Sequence, residues 1–177
     1  MDSRFGPRTF LIGPHGSGKS SLGRAMTAQG YKHLSIGTLA RLVKRHRRPA
    51  DIPGKLLFEL ARHEPGTPLA PRAVDRLVEY ITTLPRVVVD GFPATREHLA
   101  ALGDLSEWSF VYVYTPRQVR ETRLVARAET TPRGWTPGGK SERDLALPPL
   151  CGALRESKSL SFFDNSASPL SIDPSDR

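Results

Sequence analysis

The chain has 177 residues, 38% of them hydrophobic and 25% charged, with 15 Gly and 16 Pro. A chain of that length buries a core as one ordinary domain without staples, and the balance excludes a fibrous or wholly disordered protein. Its 26 basic and 18 acidic residues leave a net charge of +8, and the basic set is 20 Arg to 6 Lys, a bias suited to phosphate because the guanidinium fork is planar and always charged.

The predicted elements alternate between strand and helix. Thr9–Ile12 is a short apolar run ending at glycines, read as a buried strand. Helical spacing runs from Lys19 to Gln29 and stops at Gly30, a natural C-cap. His33–Ile36 is a weaker strand candidate, followed by helical spacing over Leu39–Lys44. Two amphipathic helices are predicted over residues 52–63 and 72–83, parted by the breaker Glu64-Pro65-Gly66-Thr67-Pro68. The β-branched run Arg86–Asp90 and the run Ser109–Tyr114 read as central strands. Pro116 suits the first turn of a helix reaching about Arg127. Residues 129–149 carry little apolar periodicity and are expected to form a surface flap. Residues 150–160 read as helical, Phe162-Phe163 as core, and Pro169–Asp173 as an edge strand. Alternating strands and helices imply a parallel sheet covered on both faces, an α/β fold.

No apolar run approaches the roughly 18 residues that cross a bilayer, and the start, Met1 to Pro7, has no secretory h-region, so a soluble cytoplasmic protein is expected. The single cysteine, Cys151, excludes an internal disulfide and a zinc cluster.

Gly13-Pro14-His15-Gly16-Ser17-Gly18-Lys19-Ser20 fits the phosphate-loop pattern G-x-x-x-x-G-K-[ST] without a mismatch. Its glycines let backbone N–H groups turn in around phosphate oxygens, Lys19 brings charge to the β/γ-phosphates, and Ser20 is placed to ligate magnesium. The helix that follows aims its positive end at the same anion. The motif lies between a predicted strand and a predicted helix, the context that gives it meaning.

Four segments, Thr9 to Ser21, Ser35-Ile36-Gly37-Thr38-Leu39-Ala40-Arg41, Asp90-Gly91-Phe92-Pro93, and Arg123 with Arg127, resemble in order and spacing the signatures of the adenylate kinase family of nucleoside monophosphate kinases. The resemblance implies a three-layer P-loop fold with a five-stranded parallel sheet, a small helical acceptor arm over about residues 35–82 and a short lid over about 128–149, all within a single 1–177 domain. It implies transfer of the γ-phosphoryl of ATP, with Mg2+, to a small acceptor. By resemblance, Gly13 to Ser21 and Arg123 hold ATP, Ser20 and Asp90 hold the metal, and Lys19, Asp90, Arg123 and Arg127 carry catalysis. Ser35, Thr38, Arg41, Gly91, Arg96 and His98 fall at the acceptor site, with Arg143 and Arg155 as looser candidates for further lid arginines.

The chain also departs from the family. Ala94 stands where the family has an acceptor-phosphate arginine, His98 where it has a glutamine that reads adenine, Thr38 where it has an acidic residue, and Ser20 where a glycine usually follows the lysine. AMP is therefore not the expected preferred acceptor. A nucleoside monophosphate or close analogue is the first choice. The alternatives are a small-molecule kinase with a hydroxyl acceptor and Asp90 as its base, and a nucleotide-binding regulatory or nucleic-acid-associated module with little turnover. The basic run Arg41 to Arg48 lacks interleaved aromatics and a reading motif, so nucleic acid is not the expected partner.

Overall fold

The computed structural model describes residues 4–64, 66–130 and 142–167. Five strands, β1 (Arg8–Ile12), β2 (Lys32–Ser35), β3 (Val87–Asp90), β4 (Ser109–Tyr114) and β5 (Leu160–Asp164), form one parallel sheet in the order β2-β3-β1-β4-β5. Six helices accompany them: α1 (Lys19–Met26), α2 (Ile36–Lys44), α3 (Gly54–Ala61), α4 (Pro71–Thr82), α5 (Arg117–Thr130) and α6 (Glu142–Glu156).

Side chains alternate across each strand, so the central strands feed two apolar layers. Phe10 and Ile12 of β1, Val87 and Val89 of β3 and Phe110 of β4 join the larger core with Leu56, Leu60, Leu77, Ile81, Leu150 and Leu154 from α3, α4 and α6. Leu11, Val88, Val111 and Val113 face the other way and pack with Met26 of α1 and Tyr31. Being apolar on both faces is what a parallel strand between two helical layers requires. Among the described residues no helix is long and apolar enough to cross a membrane.

Three expectations change. The helix predicted from residue 150 starts at Glu142 and runs through Pro148-Pro149. Prolines remove helical N–H bonds and read as breakers, but Leu150 and Leu154 are fully buried and hold the helix on the core. Of the expected flap, residues 129–130 close α5, residues 142–149 belong to α6, and residues 131–141 lie outside the described residues. The last strand is Leu160–Asp164 rather than Pro169–Asp173, which also lies outside them. Phe162, expected in the core, stands 48% exposed on that edge strand with the Arg155 guanidinium over its ring at 5.5 Å.

One surface latch ties β2 to the loop before α3. Lys32 Nζ donates to the Asp51 carboxylate, and Tyr80 Oη donates to the Asp51 carbonyl at 2.8 Å. The Lys32 bond holds the Asp51 carboxyl below the usual carboxylate range. Burial pulls Lys32 down, but its contacts with Asp51 and Tyr80 outweigh this and raise it.

Candidate active site

Strand β1 sits in the middle of the sheet between β3 and β4, so the phosphate loop leaves from the carboxyl edge of the sheet, where open α/β folds bind ligands. The loop needs its glycines. Gly18 has φ 87°, and a Cβ there would fall 2.2 Å from the amide nitrogen of Asn165. Gly13, at φ 145°, would press a Cβ to 2.8 Å from the Val113 carbonyl. Helix α1 opens at Lys19, so its first N–H groups, which have no intrahelical partner, face the loop.

Side chains from β4, α5 and the end of β5 brace the loop by its carbonyls. Asn165 Nδ2 donates to Ser17 O at 2.8 Å and Thr115 Oγ1 to the same oxygen at 3.1 Å. Arg123 donates to Gly16 O at 3.4 Å and to Asn165 O at 3.1 Å, and Arg120 to His15 O at 3.4 Å. Tying carbonyls to this scaffold leaves loop N–H groups for an anion. Lys19 Nζ lies over the loop, donating to Gly13 O at 2.6 Å and Pro14 O at 2.7 Å. Ser20 Oγ makes no hydrogen bond among the described residues. At the rim, the His15 ring and backbone N–H meet the Asp144 carboxylate of α6, the ring at 3.1 Å.

Beside the loop, Ser35 at the end of β2 is in register with Asp90 at the end of β3. Asp90 is 5% exposed and accepts from Ser35 Oγ at 3.0 Å and His33 Nε2 at 2.7 Å. A carboxylate only accepts, so Nε2 carries the proton in that bond. The His33 ring fits because residue 23 on α1 is glycine: a Cβ there would lie 2.4 Å from His33 Cδ2 and Nε2. These elements border a half-open cleft of about 180 Å³ lined by Arg24, His33, Ser35, Thr38 and Leu39. Arg41 reaches its wall, donating to Thr38 Oγ1 at 2.9 Å.

The expected residues divide accordingly. Gly13 to Ser21 form the loop and the start of α1, Ser35 and Thr38 line the cleft, and Arg41 adjoins it. Gly91 turns the chain after Asp90 at φ 85°. Arg123 is brought to the loop but is only 9% exposed and acts as a brace, not as a group presented to solvent. Arg96 is exposed. His98 is 7% exposed and stacked on Phe92, and both ring nitrogens bond to backbone, at Ala94 N and Leu69 O. In this structure it presents no edge to an acceptor, contrary to the role the family pattern implies. The side chains of Arg127 and Arg143 lie outside the described residues, and Arg155 stacks on Phe162. Sequence reasoning missed Arg24, His33, Thr115 and Asn165. The i+4 spacing of Arg24 from Ser20 was a usable signal, whereas Asn165 was hidden by the misplaced last strand.

Among the described residues no group of three or more His, Cys, Asp or Glu could hold a metal. The Ser20 hydroxyl and the Asp90 carboxylate are hard oxygen donors, and a carboxylate offers roughly four lone-pair sites, so two remain beyond the bonds from Ser35 and His33. That set fits magnesium arriving with phosphates, which supply most of its ligands.

No protein-family model matches the sequence, and no curated protein matches it. Among solved structures, the chain is similar to a gluconokinase from Sinorhizobium meliloti 1021 at 21% identity, covering 94% of this chain and 86% of that one with a TM-score of 0.51. At that identity the likeness speaks to architecture alone: the chain shares its five-stranded parallel sheet with helices on both sides with that structure.

Proposed function

We propose that the protein is an ATP-dependent kinase that phosphorylates a hydroxyl group of a small molecule. The lining of the cleft beside the phosphate loop carries this assignment. It offers a guanidinium, two hydroxyls, an imidazole and one leucine, with no aromatic ring besides His33 on which a base could stack. Ala94 and the committed ring of His98 remove two contacts that a nucleotide acceptor would use. The gluconokinase neighbour, whose name states a sugar-acid kinase, points the same way.

In this mechanism the loop amides, the N-terminus of α1 and Lys19 bind the donor phosphates, and Ser20 would hold magnesium, which would supply charge neutralisation, leaving Asp90 as the base. The acceptor oxygen forms a bond to the γ-phosphorus as the bond to the β,γ-bridging oxygen breaks and ADP leaves. The hydroxyl proton passes through Ser35 Oγ, which already donates to Asp90 Oδ1, so Asp90 is its final acceptor.

A second reading, phosphoryl transfer to a nucleoside monophosphate, is favoured by the Ser35–Arg41 segment and by the position of Arg41 beside Thr38. An ADP-release assay with MgATP separates them, using a panel of sugars, sugar acids, polyols and nucleoside monophosphates. Stimulation by hydroxyl acceptors supports the proposal. Stimulation confined to nucleoside monophosphates supports the second reading, and none by any acceptor defeats both.

A further inference from the structure

The net charge of +8 is unevenly placed along the chain. Residues 1–50 carry ten Lys and Arg against one acidic residue, Asp2, whereas residues 51–177 carry sixteen against seventeen. Five of the ten fall between Arg41 and Arg48.

The fold turns this run outward and holds it there. Lys44 ends α2, Arg45 is its C-cap, and Lys44, Arg45, His46, Arg47 and Arg48 are all exposed. The turn is fixed by its backbone: Arg45 N–H donates to Arg41 O at 3.1 Å, His46 N–H to Val43 O at 2.9 Å and Arg47 N–H to Leu42 O at 2.9 Å. His46 has φ 59°, a conformation that favours glycine at a helix end, yet the position carries a side chain able to hydrogen-bond an anion.

Several surface cations elsewhere have acidic partners: Arg8 with Glu107, Lys32 with Asp51, Arg76 with Glu79 and Arg117 with Glu121. The side chains of Lys44, Arg45, Arg47 and Arg48 make no hydrogen bond or ion pair among the described residues. Asp51, the next acidic residue along the chain, is held by Lys32. Like charges this close repel one another, so an external anion with several charges in a row relieves what the turn itself leaves unbalanced.

We propose that this turn is a docking surface for the phosphate backbone of a nucleic acid. From Lys44 to Arg48 the chain spans at most about 14 Å, which matches about four successive phosphates of one strand at roughly 3.4 Å each. Three of the four cations are arginines, whose forks hold phosphate oxygens bidentately. A basic domain with its cations gathered at one helix end is the electrostatic footprint of such a partner. None of the exposed large hydrophobics lies in the run, so nothing in it enters a bilayer or stacks on a base. The missing reading motif bears on sequence specificity, whereas backbone binding needs only the charge. Lys44 stands roughly 9 Å farther along α2 than Thr38 of the cleft, and the proposal holds or fails independently of the kinase reading.

Lys44 and Arg45 also suit the dipole at the end of α2, a structural role that needs no partner, but Arg47 and Arg48 follow the helix and have no such role. The test is fluorescence anisotropy of a labelled single-stranded RNA of mixed sequence, about 20 nucleotides long, at salt concentrations of about 50 and 200 mM. Four contacts, each contributing roughly 0.7 to the slope of log affinity against log salt, predict that the unmodified protein binds about 50-fold more weakly at the higher salt. Combining Lys44→Gln, Arg45→Gln, Arg47→Gln and Arg48→Gln should weaken binding about tenfold or more at the lower salt and remove most of the slope. Arg47→Gln with Arg48→Gln alone should remove about half of it, with the circular dichroism of the unmodified protein retained. A charge-matched control, Arg72→Gln, Arg76→Gln, Arg117→Gln and Lys158→Gln, changes four exposed residues outside the turn and should keep the slope. Binding that falls equally in the control reflects net charge alone and overturns the proposal. An unchanged slope in the two turn variants, or no binding by the unmodified protein, overturns it as well. Vesicles containing phosphatidylserine form a second arm: turn-dependent binding to them without turn-dependent binding of RNA would replace the nucleic acid with a membrane surface and sink the proposal.

Discussion

Gly23→Ala tests the packing that shapes the acceptor cleft, because its sign is set by a single contact. In an unobstructed helix, replacing glycine with alanine stabilises by about 0.5–1 kcal/mol. Here the new methyl would lie 2.4 Å from two atoms of the His33 ring, which is held between α1 and Asp90. The ring must move, and Asp90, 5% exposed, then loses one of its two side-chain partners. A hydrogen bond to a charged group contributes about 1.5–3 kcal/mol, so the net effect is a destabilisation of about 1–2 kcal/mol. For a chain of this size that lowers the melting temperature by about 2–8 °C. The assay is urea unfolding followed by circular dichroism in a double-mutant cycle with His33→Ala. Without the imidazole, Gly23→Ala should become stabilising by up to about 1 kcal/mol. A substitution that stabilises equally in both backgrounds would refute the steric argument, and with it the reason given for the position of His33.

Lys19→Met should lower ATP-dependent turnover by several orders of magnitude with the fold retained, since one uncompensated phosphate charge acts directly on the transition state; near-normal turnover would show that the loop is not the donor site. Asn165→Ala removes the 2.8 Å brace on Ser17 O from a residue 4% exposed. It should cost about 1–3 kcal/mol of stability and weaken binding of an ATP analogue, whereas unchanged affinity by titration would mean that Thr115 alone fixes the loop. Asp51→Asn removes a carboxylate whose folded-state pKa is lowered by Lys32. Its stabilisation is present above the unfolded value of about 3.9 and is lost as the pH falls through the lower folded value. The stability gap between the two proteins, at most about 1 kcal/mol for so exposed a pair, should therefore close between pH 6 and pH 2. A gap independent of pH would contradict the latch.

Features fixed by neighbouring residues were legible in the sequence. The β1–loop–α1 unit reads from eight contiguous residues whose glycines, lysine and serine have local reasons to be there, and the β-branched run at 87–90 announces a strand buried on both faces. Features that depend on distant contacts were not. Asn165 and Thr115 reach Ser17 only once β4 and β5 are paired beside β1. His98 falls at the family's glutamine position, yet its burial against Phe92 and its bonds to Ala94 and Leu69 come from tertiary packing. The prolines of α6 concealed a helix whose stability comes from the burial of Leu150 and Leu154 rather than from local propensity. Arg24 reads as one of many solvated arginines until α2 and β2 close the cleft around it.

The most direct measurement of the central claim is phosphorus NMR of the product formed from MgATP by the unmodified protein with its best acceptor. Transfer to a hydroxyl produces a phosphate monoester on carbon, whereas transfer to a nucleoside monophosphate produces a phosphoanhydride, and the two phosphorus environments are distinct. A new monoester resonance accumulating in step with ADP is the predicted result. A phosphoanhydride product, or ATP that stays intact with every acceptor in the panel, would contradict it.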